Sequence, residues 1–180
     1  MVLVPRLVDA VAPRIVLAAG GIADARGLVA ALALGADAVA MGTRFLATPE
    51  ANAHARYKEW LVVASEEQTV RTFLFGNGWP GAQHRVLRTH FVERWLPHES
   101  ETQTLHANEP PIAETVIGGR LMKISRFAAI PPHVVTRGDI ESMELLAGQS
   151  VGLVNDVRPA GDIVRGMMTE ASRIIELLGQ

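Results

Sequence analysis

The chain predicts an α/β fold, and three observations carry that expectation. Short apolar runs at 14–19 and 37–41 read as buried parallel strands. One helix-length segment lies between them, which leaves room for a single β-α-β unit. Each run ends in glycine, Gly20–Gly21 after the first and Gly42–Thr43 after the second. Two sets of backbone amides are thereby expected side by side at the C-terminal ends of adjacent strands.

The elements follow in order. Residues 3–11 carry an amphipathic helical pattern with Pro5 in the first turn, and Pro13 stops it. RIVLAA at 14–19 is the first strand, and Gly20 and Gly21 permit a tight turn and close approach of a ligand. Asp24 caps a helix over 25–34 with Leu28, Ala31 and Leu32 on one face, and Gly35 ends it. DAVAM at 37–41 is the second strand. A helix is expected over 50–63, carrying Tyr57, Trp60 and Leu61, and a β-like run over 69–75. GNGWPG at 76–81 reads as an irregular loop, and HRVLRTHFVERW at 84–95 as one basic amphipathic piece. The polar, proline-bearing stretch 97–120 is expected to carry no regular structure and to form a mobile excursion. A helix is expected within 138–154, capped by Asp139, with Ile140, Met143 and Leu146 on one face. The last helix, 160–178, has the clearest apolar stripe, from Ile163 to Leu178. These elements divide the chain into 1–50, 51–137 and 138–180.

Composition narrows the classes. The 180 residues are 48% hydrophobic and carry a net charge of -2, which gives no electrostatic reason to expect a nucleic-acid partner. Without cysteine there is no disulfide, thiol nucleophile or thiolate metal site. No apolar run reaches the roughly 18 residues that a membrane-spanning helix needs. The opening is short and interrupted by Arg6 and Asp9, unlike a secretory leader. A soluble, cytoplasmic protein is the expectation.

The glycine segments are the main site candidates. Small residues at a turn are one reading. A phosphate site is the other, with backbone amides, the Thr43 hydroxyl and the positive end of a helix as donors. AAGGIAD lacks the G-x-G-x-x-G spacing of dinucleotide folds, and no G-K-[ST] follows a strand. Arg44 either touches the phosphate or forms a structural ion pair. Asp24 and Arg26 are expected to serve capping and the surface. The six histidines show no metal-ligand spacing, so no metal site is expected, and none has a recognisable carboxylate partner. Trp79, Trp95 and Phe91 either cover a flat ring or pack in a core. Gln149, in LAGQSVGL, faces either a cofactor or its own helix end.

At these residues the chain resembles the nitronate monooxygenase family, whose members were once called 2-nitropropane dioxygenases. The resemblance rests on IVLAAGGIADARGLVAALALGADAVAMGTRFLATPEA at 15–51, HRVLRTHFVERW at 84–95 and GDIESMELLAGQSVGLV at 138–154. It is weakest over 97–135. FMN-dependent enoyl-acyl-carrier-protein reductases share the overall pattern. The resemblance implies a TIM-type (β/α)8 barrel with an added, mostly helical region, of which this chain would hold strands seven and eight. FMN is the implied cofactor, with its phosphate region held at Gly21 and at Ala40, Met41, Gly42 and Thr43; Gly20 and Gln149 are expected to be cofactor-binding as well. Many relatives carry glutamine where this chain has Ala40, so only backbone contacts are expected there. The implied reaction oxidises an alkyl nitronate with oxygen to a carbonyl compound and nitrite; an NAD(P)H-dependent enoyl reductase is the alternative. The first six strands and the family's glycine-flanked histidine have no counterpart here, and no catalytic residue is assigned. The chain is therefore expected to be a fragment, a truncated product or one piece of a split protein. It would be inactive alone and would associate with itself or with a missing N-terminal half; a non-catalytic remnant is the remaining reading.

Overall fold

The computed structural model describes residues 2–102 and 108–179. Helix α1 (Leu3–Val11) leads to strand β1 (Leu17–Ala19), helix α2 (Ala25–Ala33) and strand β2 (Ala38–Ala40). β1 and β2 pair in parallel, with Leu17 opposite Ala38 and Ala19 opposite Ala40. The β-α-β unit stands as the sequence predicts, although both strands are shorter than their apolar runs. Arg14 and Ile15 lie outside the ladder and are exposed. Asp37 closes the ladder's entry, since its carboxylate accepts the Val16 N–H at 2.8 Å.

One turn of helix, α3 (Thr43–Leu46), follows β2 directly, and α4 (Ala55–Val63) comes next. Strands β3 (Thr69–Thr72) and β4 (His84–Leu87) form an antiparallel pair. The piece expected as one amphipathic segment over 84–95 is therefore split. His84–Leu87 is strand, and Thr89 caps the separate helix α5 (His90–Trp95) by accepting from Val92 N–H. Short helix α6 spans Glu99–Thr102.

The stretch expected to lack structure, 97–120, holds β5 (Pro111–Ile117) and the turn of a hairpin completed by β6 (Arg120–Ser125), and β7 (Arg137–Gly138) joins its other edge. Gly118 and Gly119, both at positive φ, make the two-residue turn. The five strands from β3 to β7 correct the expectation of a mostly helical added region. Residues 103–107, including His106, lie outside the described residues.

The helix expected within 138–154 is absent. Asp139 does act as a local cap, taking Ser142 N–H at 3.3 Å and the Ser142 hydroxyl at 2.6 Å. After a turn over 140–143 the chain runs extended beside β4, and Gln149–Leu153 then coils as a 3₁₀ turn. Ile140 and Met143 are buried while Leu146 is 39% exposed; Met143 N–H closes a turn on Ile140 O at 3.2 Å, and the chain is extended beyond it. The final helix, α7 (Ala160–Leu178), forms as expected. Its Ile163, Met167 and Ala171 pack against Ala25, Leu28 and Val29 of α2.

A second cluster fixes the site. Ala23, from the turn after β1, and Ala47, just past α3, pack with Tyr57, Leu61, Leu87, Leu145, Ala147 and Val151. Burying these apolar surfaces together carries the 145–151 segment to the ends of β1 and β2.

Candidate functional site

The glycine segments leave from adjacent strand ends, as the parallel register requires. Gly20 and Gly21 have φ of +93° and +74°, the left-handed region that favours glycine. A Cβ built on Gly20, Gly21 or Gly42 would meet nothing within 4 Å. The space beside all three is open, room that a bound anion could take up. No hydrogen bond among the described residues takes up the amide of Gly21 or Gly42. Ala40 is the exposed last residue of β2, and Met41 is half-buried against the α2–α7 cluster.

Gly148 and Gln149 reach the same place from the far end of the chain. Gly148 N–H donates to Thr43 Oγ1 at 3.0 Å. Gln149 is exposed at the start of the 3₁₀ turn. The structure thus brings the β2 end together with the Gly148–Gln149 turn, and the ladder sets Gly20–Gly21 beside them. Loaded as an acceptor, the Thr43 hydroxyl keeps its own hydrogen for an outside oxygen. These groups fit a phosphate ester, with backbone amides and a hydroxyl as donors and no carboxylate among the converging residues.

The helix-end contribution is smaller than the sequence suggests. Asp24 caps α2, its Oδ1 accepting from Arg26 N–H at 3.0 Å and Gly27 N–H at 3.3 Å. That carboxylate already occupies the first turn of α2. Helix α3 has four residues, too few for an appreciable dipole.

Arg44 is a structural residue. It is 2% exposed, and its guanidinium donates to Asp156 Oδ1, Asp156 O and Ala47 O at 3.0, 2.7 and 3.1 Å. Of the three aromatics, Phe91 and Trp95 are core residues, with ring centroids 5.6 and 5.1 Å from Phe127. Trp79 is separate and 66% exposed, its ring edge-on to His84 at 5.8 Å.

The structure supplies a histidine–carboxylate pair that sequence reasoning missed. His84 Nδ1 contacts Glu144 Oε1, and Glu144 is 2% exposed. Burial pushes the Glu144 carboxyl above its usual range, and His84 opposes the shift. Burial, with the Glu144 charge, likewise raises the Tyr57 phenol. The Tyr57 hydroxyl donates to Leu146 O. Sixty positions separate His84 from Glu144. The available signal was a lone carboxylate inside the apolar run Met143–Leu146. No group of three or more metal-ligating side chains occurs among the described residues. No described helix is long and apolar enough to cross a membrane.

The α/β scaffold is shared with solved TIM-barrel flavoenzymes. FabK from Thermotoga maritima superposes with a TM-score of 0.73 at 34% identity, covering 98% of this chain and 50% of that one. A nitroalkane oxidase from Streptomyces ansochromogenes gives 0.67 at 27% identity, covering 98% and 44%. A Mycobacterium tuberculosis relative is 36% identical over 180 residues, covering 100% of this chain and 44% of that protein. The family model for nitronate monooxygenase matches residues 1–170, and the chain belongs to that family. It spans about half the length of the relatives it matches, 44% of the Mycobacterium tuberculosis protein and 50% of FabK.

Proposed function

We propose that this chain is the phosphate-holding portion of an FMN-dependent oxidoreductase of nitronate monooxygenase type. The observation that carries the reading is the convergence of Gly20–Gly21, Gly42–Thr43 and Gly148–Gln149 at the parallel strand ends, with open space at each glycine of the first two segments. In this reading Gly20, Gly21 and Gly42 present amides to the phosphate, and the Thr43 hydroxyl donates its free hydrogen. Ala40 and Met41 contribute backbone only, and Gln149 offers its amide from the rim. The bound flavin would supply the electron transfer between an alkyl nitronate and oxygen, giving a carbonyl compound and nitrite.

No residue of this chain is assigned a catalytic role, so the rest of the reaction chamber is proposed to come from elsewhere. The β1–β2 sheet has two strands and both edges open, and Ile15 and Leu17 beside it are 75% and 57% exposed. An N-terminal barrel portion supplied in the same or a second polypeptide, or a second copy of this chain, would cover them. The higher TM-score to FabK favours a second reading, an NAD(P)H-dependent enoyl reductase on the same cradle.

The test is reconstitution with the N-terminal half of a full-length relative and FMN. The proposal expects nitronate-dependent oxygen uptake with nitrite release. NAD(P)H oxidation with an enoyl thioester selects the second reading. Neither activity, with FMN bound or not, makes this chain a non-catalytic remnant.

A further inference from the structure

Four residues before Gly148 sits a buried carboxylate that the cradle itself does not use. Glu144 begins the extended stretch that pairs with β4. In that pairing Leu87 N–H donates to Leu145 O at 2.9 Å, and Ala147 N–H donates to Arg85 O at 3.0 Å. Val86 bridges Leu146 in antiparallel fashion. In the register these bonds set, His84 falls toward the Gly148 end and Glu144 at the opposite end. Their contact therefore runs along the pairing and braces it. Tyr57 adds a bond from α4 to Leu146 O. The next amide in line is Gly148 N–H, which loads Thr43 Oγ1.

We propose that Glu144, through its contact with His84, is a positioning residue for the anion cradle, holding the 144–148 stretch on β4 so that Gly148 N–H stays on Thr43 Oγ1. The chemistry is indirect. A Thr43 oxygen that accepts from Gly148 has its remaining hydrogen aimed away from that amide, which pre-orients the hydroxyl as a donor to phosphate. Released from Gly148, the same hydroxyl rotates freely and the turn carrying Gln149 drifts from the strand ends. A buried, partnered carboxylate suits this work, because breaking one partner leaves the other desolvated and the paired geometry is strongly preferred. The inference rests on the phosphate reading above, and its test separates the two.

The experiment is amide exchange by NMR on the full chain, with titrations of inorganic phosphate and of FMN. In Glu144→Ala, exchange at Gly148 is expected to accelerate at least tenfold while protected amides of α2 and α7 keep their rates. Phosphate and FMN responses at Gly42 and Thr43 should weaken at least fivefold. Glu144→Gln, whose amide still bonds His84, should restore most of both effects. His84→Ala removes the same contact and carries the test if Glu144→Ala does not fold. Unchanged Gly148 exchange, or equal acceleration at all amides, overturns the positioning role. If wild-type protein shows no phosphate or FMN response while Gly148 exchange still depends on Glu144, the anion role and the cradle reading fall together.

Discussion

Gly148 N–H and Thr43 Oγ1 meet at 3.0 Å across a sequence separation of 105 residues. This bond joins the β-α-β unit to the extended segment after β7, and it sets the acceptor and donor sides of the Thr43 hydroxyl.

Gly42 and Gly21 should separate binding from folding. Gly42 has φ of -83°, and a Cβ there meets nothing. Gly42→Ala should therefore change stability by less than about 1 kcal/mol. Its methyl group would occupy the cradle and weaken phosphate binding about tenfold, roughly 1.4 kcal/mol. Gly21→Ala, at φ +74°, should instead cost about 1–2 kcal/mol of stability. Thermal denaturation and phosphate titration of both variants check the contrast.

Tyr57→Phe should keep the packing of a ring that is 1% exposed and remove the donor to Leu146 O. The expected loss is about 1 kcal/mol, read by urea denaturation, because the carbonyl loses its partner at a part-buried site.

Arg44→Met should destabilise the chain by about 2–3 kcal/mol, below the cost of a fully buried pair because Asp156 is partly exposed. Once folded, the variant should bind phosphate within a factor of two of wild type. A tenfold loss of affinity at full stability would make Arg44 a phosphate ligand instead of a strut.

Glu144 gives stability a pH dependence with a definite sign. Its folded-state pKa is raised above the usual 4.5, chiefly by burial, with His84 and Tyr57 the ionisable groups facing it. The folded state therefore holds this proton more tightly than the unfolded chain. The associated stability is full below pH 4.5 and is lost as pH rises through the elevated folded value. Glu144→Gln, permanently neutral, should gain on wild type in melting temperature as pH climbs from 4.5 upward. A difference that stays flat or shrinks over that range contradicts the assignment.

The β-α-β unit was legible because its signals are local. Asp24 before a helical face, glycines at two strand ends and an apolar stripe in α7 each act within a few residues. The segment 138–154 was not, because Ile140, Met143 and Leu146 fit a helical spacing while the first two lie in a turn and backbone bonds to β4 hold 145–147 extended. Tertiary pairing outweighed local periodicity there. The hairpin β5–β6 hid behind a polar composition, since its burial alternates at only a few positions such as Ala113 and Thr115. The glycines at the two strand ends were readable from the sequence, but the Thr43–Gly148 bond and the His84–Glu144 pair join residues that no sequence window contains.

The most direct test of the account compares FMN with riboflavin, which differ only by the phosphate, by flavin fluorescence and by the amide shifts of Gly21, Gly42, Thr43 and Gly148. The account predicts saturable FMN binding, centred on those amides, at least tenfold tighter than riboflavin. Equal affinity for the two flavins, or FMN shifts confined to other parts of the chain, would contradict it.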